Sequence, residues 1–155
     1  MSENHIISEK KFHRELAIAL FNQTWDLIDR ENRTKEENDK MIHSAHASRY
    51  HWGEIGTALE IERGEWQISR VYSILKMKEP ALYHAQRCLE ICLEEDIGDF
   101  DIAFAYEAIA RAYSISEEEE RVLDYLKHAE KHGRKIKDND DRDYFFSELK
   151  NISGK

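Results

Sequence analysis

Ile68-Ser69-Arg70-Val71-Tyr72-Ser73-Ile74 returns 41 residues later as Ile109-Ala110-Arg111-Ala112-Tyr113-Ser114-Ile115, with five of seven residues identical and no gap needed. The register then continues. Ala81, Leu82, Ala85 and Cys88 fall on Val122, Leu123, Leu126 and Ala129, all apolar at i, i+1, i+4 and i+7, which is one face of a helix in both copies. A fixed period of this length marks an architecture built from repeated supersecondary units. Each unit here reads as a helix ending near Leu75 or Ser116, a short turn, and a second helix.

The punctuation around the repeat agrees. Pro80 stands at the start of a second helix, where a missing N–H costs nothing. Ser116 with Glu119 spells a capping box in the next unit. Gly98-Asp99 and Asn139-Asp140, again about 41 apart, offer caps for following helices. Asp143 to Ile152 reads as a terminal helix with Phe145, Leu149 and Ile152 on one side. Upstream, Phe12, Leu16, Leu20, Phe21, Trp25 and Ile28 predict a helix from about Glu9 to Asp29. Arg30 to Thr34 is a polar linker ending in a capping box, Thr34 with Glu37. The helix Glu36 to Trp52 then carries the stripe Met41, Ala45, Ser48 and Trp52, weakened by a polar Ser48.

About seven helices follow. Residues 1–8 show no periodicity and are expected to be a disordered tail. Residues 9–155 are expected to form one domain, with helix pairs at 9–52, 57–95 and 100–134 and a capping helix at 141–153.

Composition narrows the class. One Pro and six Gly in 155 residues are too few breakers for a β-sandwich or barrel, so the fold class is all-α. Thirty-two acidic against 23 basic residues give a net charge of −9, which disfavours nucleic acid. No apolar run approaches the roughly 18 residues of a membrane span and no signal-like segment opens the chain, so a cytoplasmic protein is expected. Cys88 and Cys92, one helical turn apart within an apolar stripe, read as reduced core residues.

The spacing Tyr106, Ile109, Ala110, Tyr113, Val122, Leu126, Ala129 is similar to the tetratricopeptide (TPR) helix-turn-helix pattern. The preceding unit matches with Ile68, Ser69, Tyr72, Ala81, Ala85 and Cys88 but has Glu65 where the pattern has an aromatic residue. Ser69 and Ala110 replace the usual Gly, no Pro closes either unit, and the period exceeds the usual 34. The blocks His46 to Trp52 and Arg63 to Tyr72 also resemble a bacterial group of TPR-like proteins, a likeness that brings no activity with it. The resemblance implies a right-handed stack of antiparallel helix pairs, a TPR-like α-solenoid, with a groove lined by the first helix of each pair. It would place Arg63, Trp66, Arg70, Ser73 and Ile74 in that groove, followed by Phe104, Glu107, Arg111, Ser114 and Ile115.

Two functional readings stay open at this level. In the first, the chain is a non-enzymatic module binding a peptide or partner protein in a groove bordered by Arg63, Trp66, Arg70, Phe104, Glu107 and Arg111. Arg70 and Arg111 would form a two-rung ladder able to clamp a carboxylate or phosphate. Alternatively they pair with Glu65, Glu107 or Glu148 and tie helices together.

In the second, His43, His46, Tyr50 and His51, which fall in one arc of their helix with Asp39, join Trp66 and Arg70 in a small-molecule or catalytic pocket. The blander reading of that arc is a solvated or helix-packing polar face. Neither an H-E-x-x-H nor a C-x-x-C motif is present, so no metal, cofactor or catalytic residue is assigned. Tyr144, Phe145 and Phe146, too dense for one buried face, suggest homo-oligomer formation through the C-terminal helix. His84 and His128 read as surface residues.

Overall fold

The computed structural model describes residues 3–153, which form seven α-helices and, among the described residues, no strand. The helices are α1 (Glu3–Ile28), α2 (Lys35–Ile55), α3 (Ala58–Ile74), α4 (Lys78–Glu94), α5 (Asp99–Ser114), α6 (Glu119–Gly133) and α7 (Asn139–Ser153). The all-α class and the helix count agree with the sequence pattern. Helix α1 begins at Glu3, inside the stretch 1–8 expected to be a disordered tail; Met1 and Ser2 lie outside the described residues.

Each helix packs on the next, and the connections of a few residues make neighbours antiparallel. The odd-numbered helices also touch in series, α1 on α3, α3 on α5 and α5 on α7, so together they build one wall of the molecule. The apolar stripes meet across these contacts. Met41, Ala45, Ile68 and Val71 are buried together, and so are Ala103, Phe104, Leu126, Ala129, Phe145, Leu149 and Ile152.

Small polar residues in the stripes are satisfied across helix boundaries. Ser48, fully buried, donates to the carbonyl of Ala17 at 2.8 Å, and Ser69 donates to that of Ala81 at 2.8 Å. For a buried hydroxyl, a hydrogen-bond partner offsets the cost of leaving water, which is why Ser can interrupt these stripes.

The helix starts differ in part from expectation. The Thr34–Glu37 capping box forms. The Ser116–Glu119 box does not, because α6 starts at Glu119; Ser116 instead donates to the Glu118 carboxylate at 2.6 Å. Glu117 takes φ 59° to make the turn, and the first helical residue follows beyond it, with Glu118 as the N-cap. Lys76, 41 residues earlier, takes φ 61° in the α3–α4 turn, so the turn repeats along with the helices.

The aromatic triplet of α7 is used within the chain. Phe145 is fully buried, edge-on to Phe104 at 5.0 Å; Phe146 lies against Phe145; and Tyr144 lies 5.8 Å from Phe104 on the odd-helix wall.

Candidate functional site

The odd-numbered helices bring aromatic side chains together on their shared wall. Phe21 and Trp25 of α1 are 6.4 Å apart, Trp25 lies 5.6 Å from Trp66 of α3, and Trp66 lies 5.7 Å from Phe104 of α5. Tyr144 of α7 ends the chain of rings, and Phe100 stands 4.6 Å from Phe104. These rings surround a cavity of about 400 Å³ whose remaining lining is Glu62, Arg63, Cys88, Asp101 and Asp141. Arg63 grips Asp101 bidentately at 2.8 and 3.0 Å, cancelling that charge and leaving Asp141 as the exposed carboxylate of the rim. Burial works against ionisation of Asp101, but the hydrogen bonds from Arg63 and Glu62 outweigh it and hold its carboxyl below the usual range.

One helical turn along α3, the guanidinium of Arg70 stacks over the Trp66 ring at 5.2 Å. Arg70, Ser73, Ile74, Arg111, Ser114 and Ile115 then line a smaller cavity of about 140 Å³, with Lys76. All the residues that the TPR resemblance assigns to a groove, except Glu107, thus line one of these two cavities.

The ladder reading of the arginines is corrected by what lies behind them. Glu107, with no exposed surface, accepts from Arg111 Nε at 2.7 Å and sits 3.7 Å from Arg70 Nη2. Glu148 of α7 lies 3.5 Å from Arg70 and 3.8 Å from Arg111. Two carboxylates therefore match two guanidiniums, and the cluster ties α3, α5 and α7 together.

The histidine face does not assemble as one pocket. His43 and Tyr50 are exposed. His51 pairs with His13 of α1, Nδ1 to Nδ1 at 2.8 Å, and its pKa is lowered by burial and by that neighbour. His46 turns the other way, 2.8 Å from the Tyr72 hydroxyl and edge-on to His84 at 5.4 Å. Neither cavity that holds Trp66 and Arg70 is lined by any of the four. Glu65 and Tyr72 occupy one stripe of α3 and Trp66, Arg70 and Ser73 the next, about 100° round the helix.

His84 is corrected too. It is largely buried, its Nδ1 2.6 Å from the Glu65 carboxylate, which also accepts from Arg49 at 3.2 Å.

Sequence reading also missed Glu62. Its side chain is 1% exposed, and its Oε2 accepts from the Cys92 thiol at 3.0 Å and lies 3.7 Å from Cys88. Burial first, and then the Asp101 carboxylate beside it, push Glu62 up to about 11. Among the described residues, Glu62, Cys88 and Cys92 are the group whose donor atoms lie close enough together to hold a metal ion, all within 4.8 Å of one another. A signal existed in the repeat: 41 residues on, Glu62 aligns with Ala103, a fully buried core position. Phe21, Trp25, Phe100 and Tyr144 carried no local signal, because only the stacking of four helices brings them together.

Comparison with family models, curated proteins and solved structures gives no match. Among the described residues, no helix is long and apolar enough to cross a membrane.

Proposed function

We propose that the chain is a non-enzymatic, TPR-like interaction module that binds a peptide segment of a partner protein along the wall formed by α1, α3, α5 and α7, with a basic side chain seated in the aromatic cavity. The observation that carries this reading is the unbroken series of rings from Phe21 to Tyr144 around a space of about 400 Å³. Aromatic faces attract cations. The exposed rim carboxylate, Asp141, adds to that attraction, and the chain's charge of −9 steers a basic segment towards it at low salt. The arginine ladder contributes a rigid edge to this site; its charge is already matched by Glu107 and Glu148.

Selection of a displayed random peptide library on the purified chain tests this. Enriched peptides should share an Arg or Lys at one position. Asp141→Lys, at an exposed site, and Trp66→Leu should each weaken them about tenfold, near 1.4 kcal/mol. Absence of enrichment, or affinities unmoved by Asp141→Lys, would overturn the reading.

A further inference from the structure

Glu62, Cys88 and Cys92 form a buried cluster of three potential ligands on two helices. The two cysteines stand one turn apart on α4 and present both sulfurs to the carboxylate of α3. In a tetrahedral zinc site with bonds of about 2.3 Å to sulfur and 2.0–2.2 Å to oxygen, ligand atoms lie roughly 3.6–3.8 Å apart. Here the sulfur–oxygen separations are 3.0 and 3.7 Å, and all three donors fall within 4.8 Å, so small side-chain rotations suffice.

The surroundings favour an ion as well. Each of the three side chains is 1% exposed. The nearest cation, Arg63 Nε, is 4.0 Å from Glu62 and is committed to Asp101. In the metal-free chain protonated Glu62 donates to Asp101, itself fixed by that arginine, so the carboxyl is already held beside the two sulfurs; that proton is released when Glu62 ligates an ion. Both Glu62 and Cys88 open onto the aromatic cavity, which gives an ion a route in and leaves a fourth coordination position facing that space. Two soft sulfurs with one carboxylate select against Mg²⁺ and Ca²⁺ and in favour of a thiophilic divalent ion.

We propose that Glu62, Cys88 and Cys92 bind one Zn²⁺ ion, with the fourth position open to the cavity between α1, α3, α5 and α7. This site is inferred from its own three residues and does not rest on peptide binding, although its open position faces the same cavity that receives the basic side chain.

The test is titration of the chelator-treated, reduced full chain with Co²⁺, followed by displacement with Zn²⁺. One Co²⁺ per chain should bind with the intense visible bands of tetrahedral cobalt and a thiolate charge-transfer band, and one equivalent of Zn²⁺ should abolish both. Cys88→Ser, Cys92→Ser and Glu62→Gln should each lose more affinity than the roughly 10- to 100-fold that an outer-shell change costs. Helicity by circular dichroism checks that each variant is folded. A wild-type chain that shows no saturable Co²⁺ binding, or binds it without the thiolate band, overturns the proposal without recourse to any variant. Binding unchanged in the folded Cys88→Ser/Cys92→Ser double variant overturns it equally.

Discussion

Nδ1 of His84 lies 2.6 Å from Oε2 of Glu65, and the same carboxylate takes Arg49 on its other oxygen at 3.2 Å. This buried triad joins α2, α3 and α4 and makes stability depend on acid. Burial opposes ionisation of Glu65, but His84 and Arg49 outweigh it and hold its folded pKa below the ordinary 4.5. The stabilisation is therefore present above pH 4.5 and is lost as pH falls through the folded value. His46 nearby is depressed below 6.5 by burial and then by His84, so the unfolded chain takes up its proton first and this residue's own contribution to stability falls below pH 6.5. Glu62, raised to about 11, works in the opposite sense over this range, so the triad shows as a difference: the gap in urea midpoint between the wild-type chain and Glu65→Gln should be widest at pH 7 and narrow towards pH 4. Glu65→Gln should cost about 1–3 kcal/mol at pH 7 and flatten the lower part of the profile. A gap that stays constant from pH 7 to 4 would show that the triad contributes nothing to the acid dependence.

Arg70 and Arg111 converge on the fully buried Glu107 from successive repeats. Removing both guanidiniums strands a carboxylate with no access to water. Arg70→Ala with Arg111→Ala should destabilise the fold by about 3–5 kcal/mol, the cost of an uncompensated buried charge. Adding Glu107→Leu to that double variant should recover part of the loss despite removing a further polar group. Chemical denaturation of the double and triple variants decides, and a triple variant weaker than the double would contradict the account.

How much of this was legible beforehand follows from which residues act locally. The helix pairs, the Thr34 cap and the apolar stripes depend on spacing within one helix, and a 41-residue repeat displays them twice. Burial of Cys88 and Cys92 followed from the same stripes. The pairing of Arg70 and Arg111 with Glu107 and Glu148 was one of two open alternatives, because charge alone cannot say whether a carboxylate lies behind or in front of a guanidinium. Glu62 and Glu65 were harder to see, since a glutamate in a helix is ordinarily solvated. Yet they align with Ala103 and Tyr106 of the next unit, both on inward-facing stripes. The aromatic cavity drew on α1, α3, α5 and α7, and no pattern within a helix encodes which rings of different helices will meet.

The two repeat turns carry matching strain. Lys76 and Glu117 hold φ of 61° and 59°, a region that costs an L-residue roughly 1–2 kcal/mol and a glycine nothing. The greater freedom of glycine in the unfolded chain returns part of that gain. Lys76→Gly and Glu117→Gly should therefore each be neutral to about 1 kcal/mol stabilising, and additive, because they lie in separate turns. Thermal melts of the two single variants and their combination test both the sign and the additivity; a clear loss at either site would mean that its side chain does more than occupy a turn.

Two glycines should respond oppositely to the same substitution. At Gly133, the last residue of α6, an added Cβ would lie 2.3 Å from Cε1 and 2.6 Å from Cδ1 of Phe145. That ring is fully buried between α5 and α6 and has no space into which to retreat. Gly133→Ala should cost about 1–3 kcal/mol through overpacking, and its position at the helix end limits any propensity gain. At exposed Gly53, inside α2, the Cβ would meet only the far end of the Arg49 side chain at 2.8 Å, which can swing aside. Gly53→Ala should therefore gain up to about 1 kcal/mol of helix propensity. Equilibrium denaturation of both variants under one set of conditions gives the comparison. Equal shifts at the two sites would mean that α6 and α7 separate enough to admit a methyl group, and that the close approach of Gly133 to Phe145 is not what fixes the last helix in place.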